Sequence, residues 1–98
     1  MARFDNRVCI ITGGASGIGA ETARRYVGDG GKVVIGDVDE AGGRAVADEI
    51  GDAAAFTPID VADANSCASG VAFAVATFGR LDGLVNSAIR MGPGPLED

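Results

Sequence analysis

The sequence contains no histidine, one tyrosine (Tyr26), one lysine (Lys32), two cysteines and three prolines. Without histidine, these residues can build neither a His-based catalytic triad nor a His-ligated metal site. A mechanism that needs a Tyr/Lys pair must use Tyr26 and Lys32 or find the pair elsewhere. The cysteines, Cys9 and Cys67, lie in apolar stretches and form no C-x-x-C pair, so they read as two buried, reduced thiols and not as a disulfide or metal site. No apolar run approaches the roughly 18 residues of a membrane span. Met1 to Arg7 lacks the apolar core of a signal peptide, so a cytoplasmic location is expected. Basic residues are few: 8 Lys and Arg against 14 Asp and Glu give a net charge of −6. That balance argues against nucleic acid or an anionic membrane as the main partner.

What is present points to one small folded unit. Ninety-eight residues are too few for two domains. A content of 47% hydrophobic and 22% charged residues is that of a globular chain. Sixteen glycines beside so few prolines suggest tight turns and close backbone approach.

Along the chain, strand and helix patterns alternate. Arg7 to Thr12 is a nearly continuous apolar run, as in a parallel strand covered on both faces. From about Gly17 to Gly28, Ile18, Thr22, Ala23, Tyr26 and Val27 recur at helical spacing, and Gly28-Asp29-Gly30-Gly31 closes that helix. Lys32 to Asp37 is a second strand. A second helix starts at or just after Asp39 and runs to about Ile50, weakened by Gly42 and Gly43 by roughly 1 kcal/mol each relative to Ala. A third strand is expected at 54–59, with Pro58 marking its end or an irregular edge. A third helix, capped near Asp63, reaches about Phe78 with Ala64, Cys67, Ala68, Val71, Val75 and Phe78 as its apolar stripe. Leu81 to Val85 is a fourth strand, and 91–95 reads as a loop. The order β-α-β-α-β-α-β with short connections predicts an α/β fold of three layers, with a parallel doubly wound sheet in strand order 3-2-1-4.

Four features fall at the carboxyl ends of these strands, where open α/β sheets bind ligands. The first is Thr12-Gly13-Gly14-Ala15-Ser16-Gly17-Ile18-Gly19. Small residues let a ligand approach the backbone, and a helix N-terminus supplies free N–H groups and partial positive charge for a diphosphate. A glycine-rich turn with no ligand is the competing reading. No Gly-Lys-Ser/Thr follows, so this is not a Walker A loop. The second is Asp37, placed about 20 residues on to accept hydrogen bonds from a ribose 2′-hydroxyl and to repel a 2′-phosphate. A helix cap, or a metal site with Asp39 and Glu40, competes. The third is Asp60-Val61, suited to an adenine amino group and ring. The fourth is Asn86-Ser87-Ala88, polar and small, lining the crevice; Asn86 serves equally well as a buried amide between strands.

Together, Thr12-Gly13-x-x-x-Gly17-x-Gly19, Asp37, Asp60-Val61 and Leu84-Val85-Asn86-Ser87-Ala88 resemble the N-terminal half of the short-chain dehydrogenase/reductase family. The likeness covers essentially the whole chain. It implies a Rossmann-like fold and hydride transfer between a nicotinamide cofactor and an alcohol or ketone. It implies that Gly13, Gly17 and Gly19 hold the pyrophosphate, that Asp37 binds the adenosine ribose as in NAD-preferring members, that Asp60 and Val61 meet the adenine, and that Asn86, Ser87 and Ala88 border the nicotinamide ribose. Thr12, Ser16, Ile18 and Val38 complete the expected cofactor-binding set. The expected cofactor is NAD rather than NADP.

The chain departs from the family at two places. The family pattern Asn-Asn-Ala-Gly reads Asn86-Ser87-Ala88-Ile89 here, and the branched Ile89 is expected to shift the loop or the cofactor. The family's catalytic Ser and Tyr-x-x-x-Lys, and its active-site helix Asn, lie beyond residue 98. Tyr26 and Lys32 have the wrong spacing and read as core and strand-edge residues. The expectation is therefore residues 1–98 as a single domain, incomplete at its C-terminus, that binds NAD but turns over no substrate alone, with the substrate read by a full-length form. Homo-oligomers are common among such relatives. A non-catalytic nucleotide-binding or interaction module, and an S-adenosylmethionine-dependent methyltransferase of similar architecture, are the alternatives.

Overall fold

A computed structural model describes residues 5–87. Seven elements alternate: β1 (Val8–Thr12), α1 (Gly17–Gly28), β2 (Lys32–Asp37), α2 (Glu40–Ile50), β3 (Ala54–Pro58), α3 (Ala64–Phe78) and β4 (Gly83–Asn86). The four strands form one parallel sheet in the order β3-β2-β1-β4. This is the predicted Rossmann-like architecture.

Side-chain alternation divides the core into two layers. Cys9, Ile11, Val33, Ile35 and Phe56 face Ala20 and Ala23 of α1 and Val46 and Ala47 of α2. Ile10, Val34 and Ile59 face Ala74 of α3, with Cys67, Phe73, Phe78 and Leu81 packed around them. Both faces of β1 and β2 are thus covered, which is why those strands read as continuous apolar runs. Ile10, Ile11, Ile35, Val8, Val33 and Val34 are fully buried. Each contributes about 1.5–3 kcal/mol by leaving water.

The helix starts follow the caps. Ser16, Asp39 and Asp63 each turn a side-chain oxygen onto backbone N–H groups of the first turn, at Gly19, Gly42, and Asn65 with Ser66 respectively. Gly79, in the left-handed region, ends α3. At the opposite end of the sheet, Asp82 pins β4 to β1: its carboxylate accepts the Val8 N–H at 2.8 Å while its own N–H goes to the Val8 carbonyl. The Arg80 guanidinium, the first cause, and the Val8 N–H hold the Asp82 carboxyl below the ordinary carboxylate range.

Several local expectations are corrected. Ile18 is 65% exposed and does not belong to the α1 core face, which consists of Gly19, Ala20 and Ala23 with Tyr26 and Val27 half-buried. In α3 the buried residues are Gly70 and Ala74, while Ala64, Ala68, Val71 and Val75 are exposed. Close approach explains the rotation. A Cβ on Gly70 would lie 2.6 Å from Ile59 Cδ1, so the helix meets the sheet through its smallest side chains and turns its valines away. Gly43 acts similarly in α2, where a Cβ would run into the Phe56 ring, so its helix-propensity cost is offset by tight packing. The fourth strand begins at Gly83 and extends through Asn86, not Leu81 to Val85 as expected.

The expectation for the thiols holds for Cys9 alone. Cys9 is buried and Cys67 half-buried. Burial pushes the Cys9 thiol up to about 11. Because the thiolate is the reactive form, an aromatic disulfide reagent at pH 8 is expected to titrate one thiol, Cys67, in the folded chain and both in denaturant. Equal fast labelling of both would contradict this packing.

Candidate functional site

In register, Thr57, Gly36, Thr12 and Asn86 form one row across the sheet. The loops after all four strands therefore open on a single rim. The chain reverses direction across the sheet between β1 and β4, which makes that rim a topological switch point.

The loop from β1 to α1 is strapped to the end of β2. The Gly13 and Gly14 N–H groups both donate to the Gly36 carbonyl, at 2.8 and 3.2 Å, and the Ala15 N–H donates to Asp37 Oδ2 at 2.9 Å. The Ser16 N–H and hydroxyl both return to the Gly13 carbonyl, at 3.1 and 2.7 Å, and the Ser16 hydroxyl oxygen accepts the Gly19 N–H at 3.2 Å. Gly13 has φ +72°, a conformation that suits glycine. With these donors engaged, the Gly17 and Ile18 N–H groups, the first two of α1, have no acceptor among the described residues. Apart from its chain neighbours and the adjoining backbone of α1, no atom lies within 4 Å of a Cβ built on Gly17. Two donors without an acceptor, the positive end of a helix and open space beside Gly17 are the features an anion site requires.

Gly19 explains how α1 comes so close. A Cβ there would collide with the Gly13 carbonyl oxygen and lie 2.7 Å from the Ser87 hydroxyl. Across the rim, half-buried Asp37 also accepts the Asp39 N–H on Oδ1 at 3.0 Å. A carboxylate offers about four lone-pair positions, so acceptor capacity remains for a ligand diol. Val38 beside it is 70% exposed. Asp60 is exposed, accepting the Ala62 N–H and donating its own N–H to the Ser66 hydroxyl, and Val61 is 46% exposed.

On the α3 side, a cavity of about 250 Å³ opens at this rim between Thr12, Ile59, Val61 and Asn86. A larger hollow of about 640 Å³ lies on the opposite face and reaches Arg7, Asp29 and Asp82, far from the glycine loop. No residue of the glycine loop lines the larger hollow, so the rim is the better site.

Residues 7–98 match the family described as short chain dehydrogenase. The chain belongs to this family. It is 44% identical over 99 residues to 2,5-dichloro-2,5-cyclohexadiene-1,4-diol dehydrogenase LinX of Sphingobium indicum, an alignment that covers 98% of this chain and 40% of that protein. Among solved structures, it is similar to 3-ketoacyl-(acyl-carrier-protein) reductase from Brucella melitensis complexed with NADH, at 41% identity and TM-score 0.80, covering 83% of this chain and 33% of that one. It is also similar to hydroxysteroid dehydrogenase from Escherichia coli, at 32% identity and TM-score 0.88, covering 98% and 42%. The chain spans about two-fifths of the length of the curated relative above.

Asn86 and Ser87 are bonded into the sheet beside the rim. The Thr12 hydroxyl, with Thr12 4% exposed, donates to Asn86 Oδ1 at 3.0 Å. The Ser87 N–H and hydroxyl both donate to the Thr12 carbonyl, at 3.0 and 2.7 Å. Thr12→Val keeps the shape and removes the donor to Asn86. It is expected to cost about 1 kcal/mol, read as a lower urea midpoint at unchanged slope. Ala88 and Ile89 lie outside the described residues. Among the described residues, no helix is long and apolar enough to cross a membrane.

Tyr26 packs against the α1-side core, and burial is the first cause that raises its phenol above the ordinary value. It lines the hollow on the opposite face, away from the glycine loop. Lys32 opens β2, at the end of the strand remote from the rim. Sequence reasoning missed Gly36 and Ala15. A glycine inside the β2 strand pattern was the available signal for Gly36, since such glycines mark close backbone approach. A Cβ on Gly36 would lie 2.5 Å from Ile59 Cδ1.

Proposed function

We propose that this chain is the NAD-binding half of a short-chain dehydrogenase that moves a hydride between nicotinamide and an alcohol or ketone. The observation that carries the reading is the pair of open Gly17 and Ile18 donors beside clear space at Gly17, with the Asp37 carboxylate on the same rim. The pyrophosphate would rest on those N–H groups, with Gly19 keeping α1 close to the loop. Asp37 would accept from the adenosine ribose, Val38, Asp60 and Val61 would flank the adenine, and Asn86 and Ser87 would border the second ribose. When bound, the nicotinamide supplies the hydride acceptor or donor. The chain's own residues bind and orient it.

NAD is favoured over NADP on charge. A 2′-phosphate would meet Asp37, and no Arg or Lys bonds to Asp37 or to the glycine loop among the described residues. The sequence has a single tyrosine and a single lysine, six apart, so it holds no Tyr-x-x-x-Lys. This favours binding without turnover for the 98-residue polypeptide.

Calorimetric titration of the folded chain with NAD and NADP tests the reading. Saturable NAD binding, with NADP at least about tenfold weaker, is the expected result. A silent NAD titration with native circular dichroism would overturn it. An assay with NAD over a panel of alcohols is expected to stay at background.

A further inference from the structure

We infer that Asp37 is also a positioning residue for the glycine loop, so that one side chain links ribose recognition to the shape of the phosphate cradle. The inference rests on the functional reading above and extends it to Ala15, a residue with no role there.

Three consecutive loop N–H groups turn toward the end of β2. Gly13 and Gly14 both use the Gly36 carbonyl, whose two lone pairs are then engaged. That carbonyl has no capacity left for Ala15, whose N–H goes instead to Asp37 Oδ2 at 2.9 Å. The other carboxylate oxygen takes the Asp39 N–H at 3.0 Å, a local bond two residues on that aims the carboxylate back at the loop. Asp39 is itself fixed as the cap of α2. Ala15 immediately precedes Ser16, the cap of α1, so holding Ala15 holds the start of the helix whose first two donors remain open.

A consequence for specificity follows from atom counting. Asparagine has one acceptor oxygen, and its NH₂ group would face a donor. In Asp37→Asn, either Ala15 or Asp39 therefore loses its acceptor. Asp37→Ser leaves both without the carboxylate. Substitutions that remove the charge opposing a 2′-phosphate also release the loop, so NAD affinity falls without a matching gain for NADP.

Amide hydrogen exchange of the ligand-free, ¹⁵N-labelled chain tests the strap. In Asp37→Ser, exchange at Ala15 is expected to be at least about tenfold faster than in the parent. Ile11 and Ile35, in the core strands, should keep their protection and so report an intact fold. Unchanged exchange at Ala15 with that core intact would overturn the inference. Should the variant not fold, the parent chain answers directly: a through-hydrogen-bond coupling between the Ala15 amide nitrogen and the Asp37 carboxyl carbon supports the strap, and its absence overturns it. NAD titration of the parent is a separate arm. Its failure removes the functional reading and the ribose half of this inference, whereas failure of the exchange result alone removes the strap.

Discussion

Gly19→Ala is expected to destabilise the chain by about 2–3 kcal/mol and to abolish measurable NAD binding, whereas Gly17→Ala is expected to leave folding intact and lose binding alone. The added atom is the same in both, and its surroundings differ. At position 19 it meets the Gly13 carbonyl oxygen, which belongs to the backbone of a loop already held at Gly36, and it crowds the Ser87 hydroxyl. Relief requires α1 to back away from β1, and overpacking of this kind costs about 1–3 kcal/mol, at the upper end when backbone must move. The same retreat displaces the Gly17 and Ile18 donors. At position 17 the atom meets nothing within 4 Å beyond its chain neighbours and the backbone of its own helix. Alanine is the better helix former by as much as roughly 1 kcal/mol, so the urea midpoint should hold or rise. The new methyl instead occupies the space assigned to the phosphates. Urea unfolding and calorimetry of the two variants separate these outcomes. If Gly17→Ala binds NAD like the parent, the cradle is not where the phosphates sit.

The contrast also shows what could be read from sequence. The strand order and the glycine loop were legible because each rests on a one-dimensional pattern: continuous apolar runs for β1 and β2, small residues before a helix, a carboxylate at a strand end. The caps Asp39 and Asp63 were legible for the same reason. The inner faces of α1 and α3 were not. Periodicity assigned Ile18, Val71 and Val75 inward because they are apolar, yet the helices approach the sheet through Gly19, Ala20, Gly70 and Ala74. Close packing chose the smallest side chains over the most hydrophobic, and a hydropathy stripe carries no information on that distance. The bonds from Gly13, Gly14 and Ala15 to Gly36 and Asp37 were hidden because they join residues far apart in sequence through backbone atoms, which residue identity does not reveal.

Asp37→Ala carries the other large effect. It is expected to weaken NAD binding by about 10–100-fold, the span of losing hydrogen bonds to a charged acceptor at roughly 1.5–3 kcal/mol. NADP responds to two opposing changes. Removing the carboxylate relieves repulsion of the 2′-phosphate, by about 1–4 kcal/mol for unit charges some 4 Å apart between bulk water and an effective dielectric of about 20. Freeing the Ala15 N–H loosens the cradle that both cofactors share. The two effects are similar in size and opposite in sign, so NADP affinity should stay within a few-fold of the parent while NAD affinity drops. The preference then narrows through loss on the NAD side. The relief is a charge effect and shrinks with added salt, because exposed charges are screened over about 10 Å at roughly 0.1 M ionic strength. The loop effect does not shrink. Titrations of both cofactors at low and high salt therefore distinguish the contributions. NAD affinity unchanged in Asp37→Ala would mean that the carboxylate neither grips the ribose nor shapes the loop.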